Sequence, residues 1–124
     1  MKHKILIVSG DPNSINSEII YKSLKNLNNN IKKRIYIVSN FNLLNRQFKK
    51  LKLKINLAKV NNLNDFHQTK KIKIIDIPLT FQNPFKVSPQ NASKFVIECL
   101  NIAHSLAIKN KLKGIINCPV DKTL

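Results

Sequence analysis

The sequence is poor in glycine, cysteine and acidic residues, and the shortages of glycine and cysteine exclude several functional motifs. Its 124 residues include two Gly and two Cys, and six Asp and Glu against 22 Lys and Arg. A dinucleotide-binding turn of the form G-x-G-x-x-G needs three glycines, so that fingerprint is absent. Neither Cys99 nor Cys118 belongs to a C-x-x-C pair or has a His at metal-ligand spacing. We therefore expect both thiols to be reduced and structural.

Long apolar runs are also missing. No stretch of about 18 apolar residues occurs, which excludes a membrane-spanning helix of the usual kind. The apolar run before Asp11 is too short for the hydrophobic region of a secretory signal. At this length we expect at most one domain, in a cytoplasmic protein.

The net charge of +16 suggests a polyanionic partner, but the composition argues against nucleic acid. Of the 22 basic residues 20 are Lys, and Asn and Ile occur 18 times each, a profile that AT-rich codons produce without selection for a polyanion. Sequence readout favours Arg, and aromatic residues are not interleaved with the lysines as stacking platforms would be. We interpret the charge as a solvated, lysine-coated surface.

Apolar segments bounded by turn residues alternate with amphipathic segments along the chain. The patterns predict strands over 4–9, 34–39, 72–77 and 115–118. They predict helices over 17–28, 40–51 and 88–111. Residues 53–60 are ambiguous and fit a half-buried or edge strand, and 61–70 fit a loop. This alternation indicates an α/β protein with a largely parallel sheet and helices on both faces.

Capping residues and apolar spacing define the predicted helices further. Ser14 or Asn16 can cap the first helix, which the Asn28-Asn29-Asn30 run ends, and Ser39 or Asn40 can cap the second. Ser88 followed by Pro89 predicts the start of the long helix, which Gly114 stops. The apolar face expected on the second helix is Phe41, Leu44, Phe48 and Leu51. The buried candidates of the long helix are Phe95, Leu100, Ala103, Leu106 and Ala107.

Polar turn residues follow two of the predicted strands. Gly10-Asp11-Pro12 leads from the first strand into a helix, and Asn117 to Lys122 follow the last strand. Ligands of open α/β sheets bind at the carboxyl ends of strands, where a helix N-terminus presents unpaired backbone N–H groups. Asp11 could orient a ligand hydroxyl or a metal-bound water, and Lys122 could hold a phosphate. The alternatives are that Asp11 caps a turn or the following helix and that Lys122 is one more solvated lysine.

The histidines indicate no site. No two of His3, His67 and His104 have metal-ligand spacing, and no Ser-His-Asp or Cys-His arrangement is indicated. His104 fits a packed or half-exposed position on the long helix better than a ligand position.

Three segments carry a resemblance to a known family. GDPNSINSEII at 10–20 resembles the GDPAGIGPEI opening signature of the 4-hydroxythreonine-4-phosphate dehydrogenase family. GIINCPVDKTL at 114–124 is similar to that family's later A-[IL]-V-T-[AG]-P-[IV]-[NH]-K-x-x-L segment, and residues 88–107 to its long helix. The chain departs from the family at Ser14 and Asn16, which replace glycines, at Ser17, which replaces proline, and at Asp121, which replaces Asn or His.

The resemblance implies the N-terminal part of an NAD(P)-dependent oxidoreductase of vitamin B6 (pyridoxine, pyridoxal phosphate) biosynthesis. The fold it implies is an incomplete isocitrate/isopropylmalate-dehydrogenase-like domain over 1–124. Such enzymes oxidise and decarboxylate the phosphorylated substrate 4-phosphooxy-threonine with NAD or NADP and a divalent metal, as homodimers whose active site lies between two subdomains. On the matched segments, Asp11, Asn117 and Lys122 are the expected substrate-binding residues.

The resemblance also implies that parts of the site lie outside this sequence. The family's G-H-T-E segment and its three metal-binding histidines match no residue here. We therefore expect a fragment that is inactive alone and binds neither cofactor nor metal by itself. The alternative is a small lysine-rich binding module for nucleic acid or a phosphorylated ligand, and a third possibility is a degraded gene product.

Overall fold

The computed structural model describes residues 4–61, 63, 71–110, 112 and 115–117. Its strands are β1 Ile5–Val8, β2 Ile35–Ser39, β3 Leu57–Val60, β4 Ile72–Asp76 and β5 Ile115–Asn117. Its helices are α1 Asn16–Lys25, α2 Asn29–Lys32, α3 Phe41–Lys50 and α4 Pro89–Lys109. Strands and helices alternate except at two places: α2 follows α1, and β4 is the next described element after β3.

The strands form one sheet in the order β3-β4-β2-β1-β5, and every pairing is parallel. In the centre, Ile7 of β1 lies in register with Ile37 of β2. A parallel sheet is stable when both of its faces are covered. In agreement with this, every residue of β2 is buried. The predicted fold class, α/β with a parallel sheet, is confirmed.

Helices cover both faces of the sheet. On one face α1 and α3 pack through Ile20, Leu24, Leu44 and Phe48. On the other face α4 packs through a row of residues spaced three or four positions apart: Ala92, Phe95, Cys99 and Ala103. None of the described helices has the length and apolar character to cross a membrane.

The predicted caps are largely confirmed. The Ser88 hydroxyl accepts a hydrogen bond from the Asn91 N–H at 3.2 Å, and the Asn40 side chain accepts one from the Leu43 N–H at 2.9 Å. The prediction that Ser14 or Asn16 caps helix α1 was wrong, because the N-cap position is Ile15, which makes no side-chain capping hydrogen bond. In α3 and α4 a side-chain oxygen of the cap residue thus pairs with an N–H group of the first helical turn.

Several boundaries and core positions differ from the prediction. The first helix ends at Lys25, and Asn28 caps the separate one-turn helix α2, because its side chain accepts a hydrogen bond from the Ile31 N–H. Only residues 57–60 of the ambiguous segment 53–60 form a strand, at the edge of the sheet. The predictions of burial for Leu51 and Leu100 were wrong, since each is 37% exposed. Helix α4 ends at Lys109, and the predicted stop at Gly114 lies outside the described residues.

Cys99 is fully buried against the sheet and is free, as expected of a structural thiol. Burial, assisted by the neighbouring Glu98 carboxylate, raises the pKa of this thiol from 9.0 to about 12. Cys118 lies outside the described residues.

The raised pKa predicts a pH dependence of stability. Between pH 9 and 12 the unfolded chain has lost the Cys99 proton that the folded chain keeps, so this group's stabilising contribution is complete below pH 9 and is lost as pH rises towards 12. The expected slope is at most about 1.4 kcal/mol per pH unit. Urea denaturation across this range should therefore show a steeper loss of stability for the wild type than for Cys99→Ala. Parallel curves for the two proteins would contradict the assignment.

Candidate functional site

The order of connections changes direction at β1. The chain leaves β1 towards β2 on one side, and later crosses from β4 through α4 to β5 on the other side. The ends of β1 and β5 lie next to each other, because Val8 pairs in register with Asn117. Such a switch point opens a crevice at the carboxyl edge of the sheet, the usual ligand position in open α/β sheets. The two polar segments that the sequence singles out thus follow adjacent strands.

The turn after β1 depends on glycine. Gly10 has a φ of 77°, which glycine adopts without steric cost. Just before it, the buried Ser9 hydroxyl donates to the Ser39 hydroxyl at 2.9 Å, which joins the ends of β1 and β2. This buried hydrogen bond fixes the end of β1, and with it the start of the turn, relative to β2.

Asp11 caps this turn. Its carboxylate oxygen Oδ1 accepts a hydrogen bond from the Asn13 N–H at 2.9 Å. Its carbonyl oxygen accepts from the Ser14 hydroxyl at 2.7 Å and from the Ser14 N–H at 3.3 Å. The turn therefore uses N–H groups that the sequence led us to expect unpaired, and Asp11 has the structural role that was the alternative to ligand binding. Asp11 is half-buried at the crevice.

Ser14 and Asn16 use side chains where the family pattern has glycines. Lys52 is the one described non-glycine residue with positive φ, so neither Ser14 nor Asn16 needs a glycine conformation. The Ser14 hydroxyl accepts from the Asn16 N–H at 3.2 Å, and the Asn16 amide donates to the Ser9 carbonyl at 2.9 Å. The turn tolerates both replacements without backbone strain and gains hydrogen bonds from them.

Two amide side chains bind the turn to residues 78–87. Asn13 makes paired hydrogen bonds with Val87, donating to its carbonyl at 2.8 Å and accepting from its N–H at 2.7 Å. The buried Gln47 amide donates to the Pro12 carbonyl at 2.8 Å and to the Pro84 carbonyl at 2.7 Å. These contacts hold the wall of the crevice together. Sequence reasoning missed both residues, although a glutamine inside the apolar stripe of α3 was an available signal.

One polar group at this edge has no hydrogen-bond partner. Ser17 lies in the first turn of α1, is 3% exposed, and its hydroxyl oxygen makes no hydrogen bond within the part of the chain that the structure describes. Polar side chains at the neighbouring ends of β2 and β4, by contrast, make hydrogen bonds. Asn40 donates to the Ile77 carbonyl at 2.8 Å, and the Asp76 carboxylate accepts from the Phe41 N–H at 2.8 Å.

The structure describes two of the three expected site residues. Asp11 lies in the turn, Asn117 ends β5 beside β1, and Lys122 lies outside the described residues. Over 4–61, 63, 71–110, 112 and 115–117, no group of three or more His, Cys, Asp and Glu side chains could hold a metal ion. At this edge the Asp11 and Asp76 carboxylates each accept one backbone hydrogen bond. His104 is exposed on α4.

The topology defines an all-parallel α/β protein with a crevice at its β1–β5 switch point, and solved dehydrogenases share this fold. The chain superimposes on a 4-hydroxythreonine-4-phosphate dehydrogenase from Burkholderia phymatum with a TM-score of 0.84 and 19% identity, over 99% of this chain and 38% of that one. The corresponding enzyme from Klebsiella pneumoniae matches with a TM-score of 0.80 and 24% identity, over 98% of this chain and 38% of that one. A candidate enzyme of the same kind from Salmonella typhimurium gives 0.82 and 22%, with the same coverage.

The likeness is one of fold, and this chain spans 38% of the length of those structures. A match of this extent fits an N-terminal portion of such a protein, which is also what the sequence motifs suggest. No family profile and no curated protein matches the sequence.

Proposed function

We propose that this chain is the N-terminal part of a dehydrogenase domain and forms one wall of the active-site cleft of a 4-hydroxythreonine-4-phosphate dehydrogenase-like oxidoreductase. The observation that carries the proposal is the fold match to such enzymes over nearly the whole chain, with the GDP turn at the switch point. In the complete protein the reaction is the NAD- or NADP-dependent oxidation and decarboxylation of 4-phosphooxy-threonine. The complete protein acts as a cytoplasmic homodimer.

The roles of this chain's residues in the proposal are binding and orientation. Asp11 has one carboxylate oxygen engaged in the turn, and its second oxygen orients the substrate hydroxyl at the crevice. Asn117, at the end of β5, supplies a neighbouring polar contact, and Lys122 holds the substrate phosphate as a point charge. In the complete protein, a bound nicotinamide cofactor would supply the hydride acceptor.

Substrate binding tests the proposed roles. Calorimetric titration of the chain with 4-phosphooxy-threonine should show binding that Lys122→Gln weakens by about tenfold, because a charge-assisted contact to the phosphate is lost. Asp11→Asn keeps an oxygen that can cap the turn but removes the charge, so it should weaken binding without unfolding the protein. The matched control is Lys109→Gln, on the exposed last turn of α4. Equal affinity for all variants would contradict the assignment.

A second measurement tests the division of the active site. The 124 residues alone, mixed with NAD or NADP and 4-phosphooxy-threonine, should give no reduced cofactor, because they span 38% of the enzymes they resemble. Absorbance at the nicotinamide band measures this directly. Turnover by the purified chain would show that these residues suffice for catalysis and would overturn the proposed division.

A further inference from the structure

A second cleft lies at the opposite edge of the sheet. It is lined by the C-terminal ends of α1 and α3, by Lys32 of α2, by residues 53–56 and by Ile72 at the start of β4. Its volume is about 630 Å³, which is within the range of small-molecule sites, roughly 300–1,000 Å³. Because strands begin and helices end here, the cleft is separate from the crevice beyond the carboxyl ends of β1 and β5.

Four lysines surround this cleft: Lys25, Lys32, Lys49 and Lys54. No carboxylate lies among the described residues that line it, and the two described ion pairs, Glu18–Lys22 and Asp76–Lys59, involve other lysines. Lysines in the last turn of a helix complement the helix dipole, which accounts for three of the four. Lys54 belongs to no helix, so the dipole does not explain its presence.

The wall between the lysines is apolar and partly aromatic. Tyr21 is half-buried and its ring lies 6.2 Å from the buried Phe48 ring at an angle of 58°. The Lys25 ammonium lies 6.0 Å from the centre of the Tyr21 ring. Leu53 and Ile55, both half-buried, continue this wall. A ligand that fills the cleft therefore meets an apolar surface and cationic groups together.

We propose that this cleft binds a nucleoside phosphate. The ring of such a ligand fits against Tyr21, Leu53 and Ile55, and its phosphates fit the lysines, which attract anions as point charges. The Asn45 and Asn56 amides, which also line the cleft, supply hydrogen bonds to its polar edges. A concave site built from separate segments selects a compact ligand, whereas nucleic acid follows an extended basic groove.

Calorimetric titration of the intact chain with ADP, adenosine and pyrophosphate tests the combined recognition. ADP should bind at least about tenfold more tightly than either part, because only ADP contacts both the apolar wall and the lysines. ADP binding no tighter than pyrophosphate would show simple anion attraction and overturn the proposal. A single-stranded RNA that binds at physiological salt and displaces ADP would assign the cleft to nucleic acid and would also overturn it.

Variants locate the binding within the molecule. The double change Lys25→Gln with Lys49→Gln should weaken ADP binding by at least about tenfold, and Lys86→Gln with Lys109→Gln, which removes the same charge from exposed positions elsewhere, should leave it within about twofold. The uncharged change Asn45→Trp should abolish binding by filling the cleft. Equal losses in both lysine pairs, or full binding by a folded Asn45→Trp protein, would overturn the proposal.

Discussion

Replacing Gln47 by Leu should destabilise the protein by about 2–4 kcal/mol, although leucine is apolar and of similar size. Gln47 is 2% exposed, and its amide donates to the Pro12 and Pro84 carbonyls. Leucine leaves both acceptors without this donor in a buried place, and the cost of an unmade buried hydrogen bond exceeds any gain from the apolar side chain. Urea denaturation measures the loss. The matched control, Gln82→Leu at an exposed position, should change stability by less than about 0.5 kcal/mol.

The same contact controls the shape of the crevice. In Gln47→Leu the N–H groups of Asn13 and Val87 should exchange hydrogen faster than in the wild type, because the turn and residues 78–87 lose a shared contact.

In Gln47→Glu a carboxylate faces two carbonyl oxygens, so this variant should regain stability relative to the wild type as the pH falls and the acid becomes a donor. Unchanged exchange and stability in these variants would show that Gln47 does not hold the wall.

Replacing Phe95 by Ala should cost about 3–5 kcal/mol and should unfold a large part of the population at moderate temperature. Phe95 is 1% exposed and packs from α4 onto the face of the sheet that carries Leu6, Val8 and Val38. Alanine removes the buried ring and leaves a cavity that a close-packed parallel sheet fills only in part.

The control for Phe95 lies on the same helix. Ile97 is 55% exposed, so Ile97→Ala should change stability by less than about 0.5 kcal/mol although, like Phe95→Ala, it introduces a residue of higher helix propensity. Thermal denaturation by circular dichroism compares the two variants. Equal melting temperatures would contradict the packing of α4 through Phe95, and a loss confined to Phe95→Ala would support it.

The candidate site could be predicted only in part. The GDP turn was recognisable because glycine and a capping aspartate follow an apolar strand, and the structure confirms both features. The roles of Asn13 and Gln47 were not predictable, because their partners lie 74 and 35 or more positions away along the chain. The functions of Asp11, Asn117 and Lys122 stay predictions until binding is measured.

Elements with local signals were recognisable from the amino-acid sequence. The apolar runs of β1, β2 and β4 and the Ser88-Pro89 start of α4 needed no distant contact to be recognised. Only the three-dimensional structure shows that β5 lies beside β1, that the strand within 53–60 is confined to 57–60 and that Leu100 faces outward. These features depend on long-range strand pairing and on which stripe of a helix meets the sheet, so residues distant in sequence decide them together.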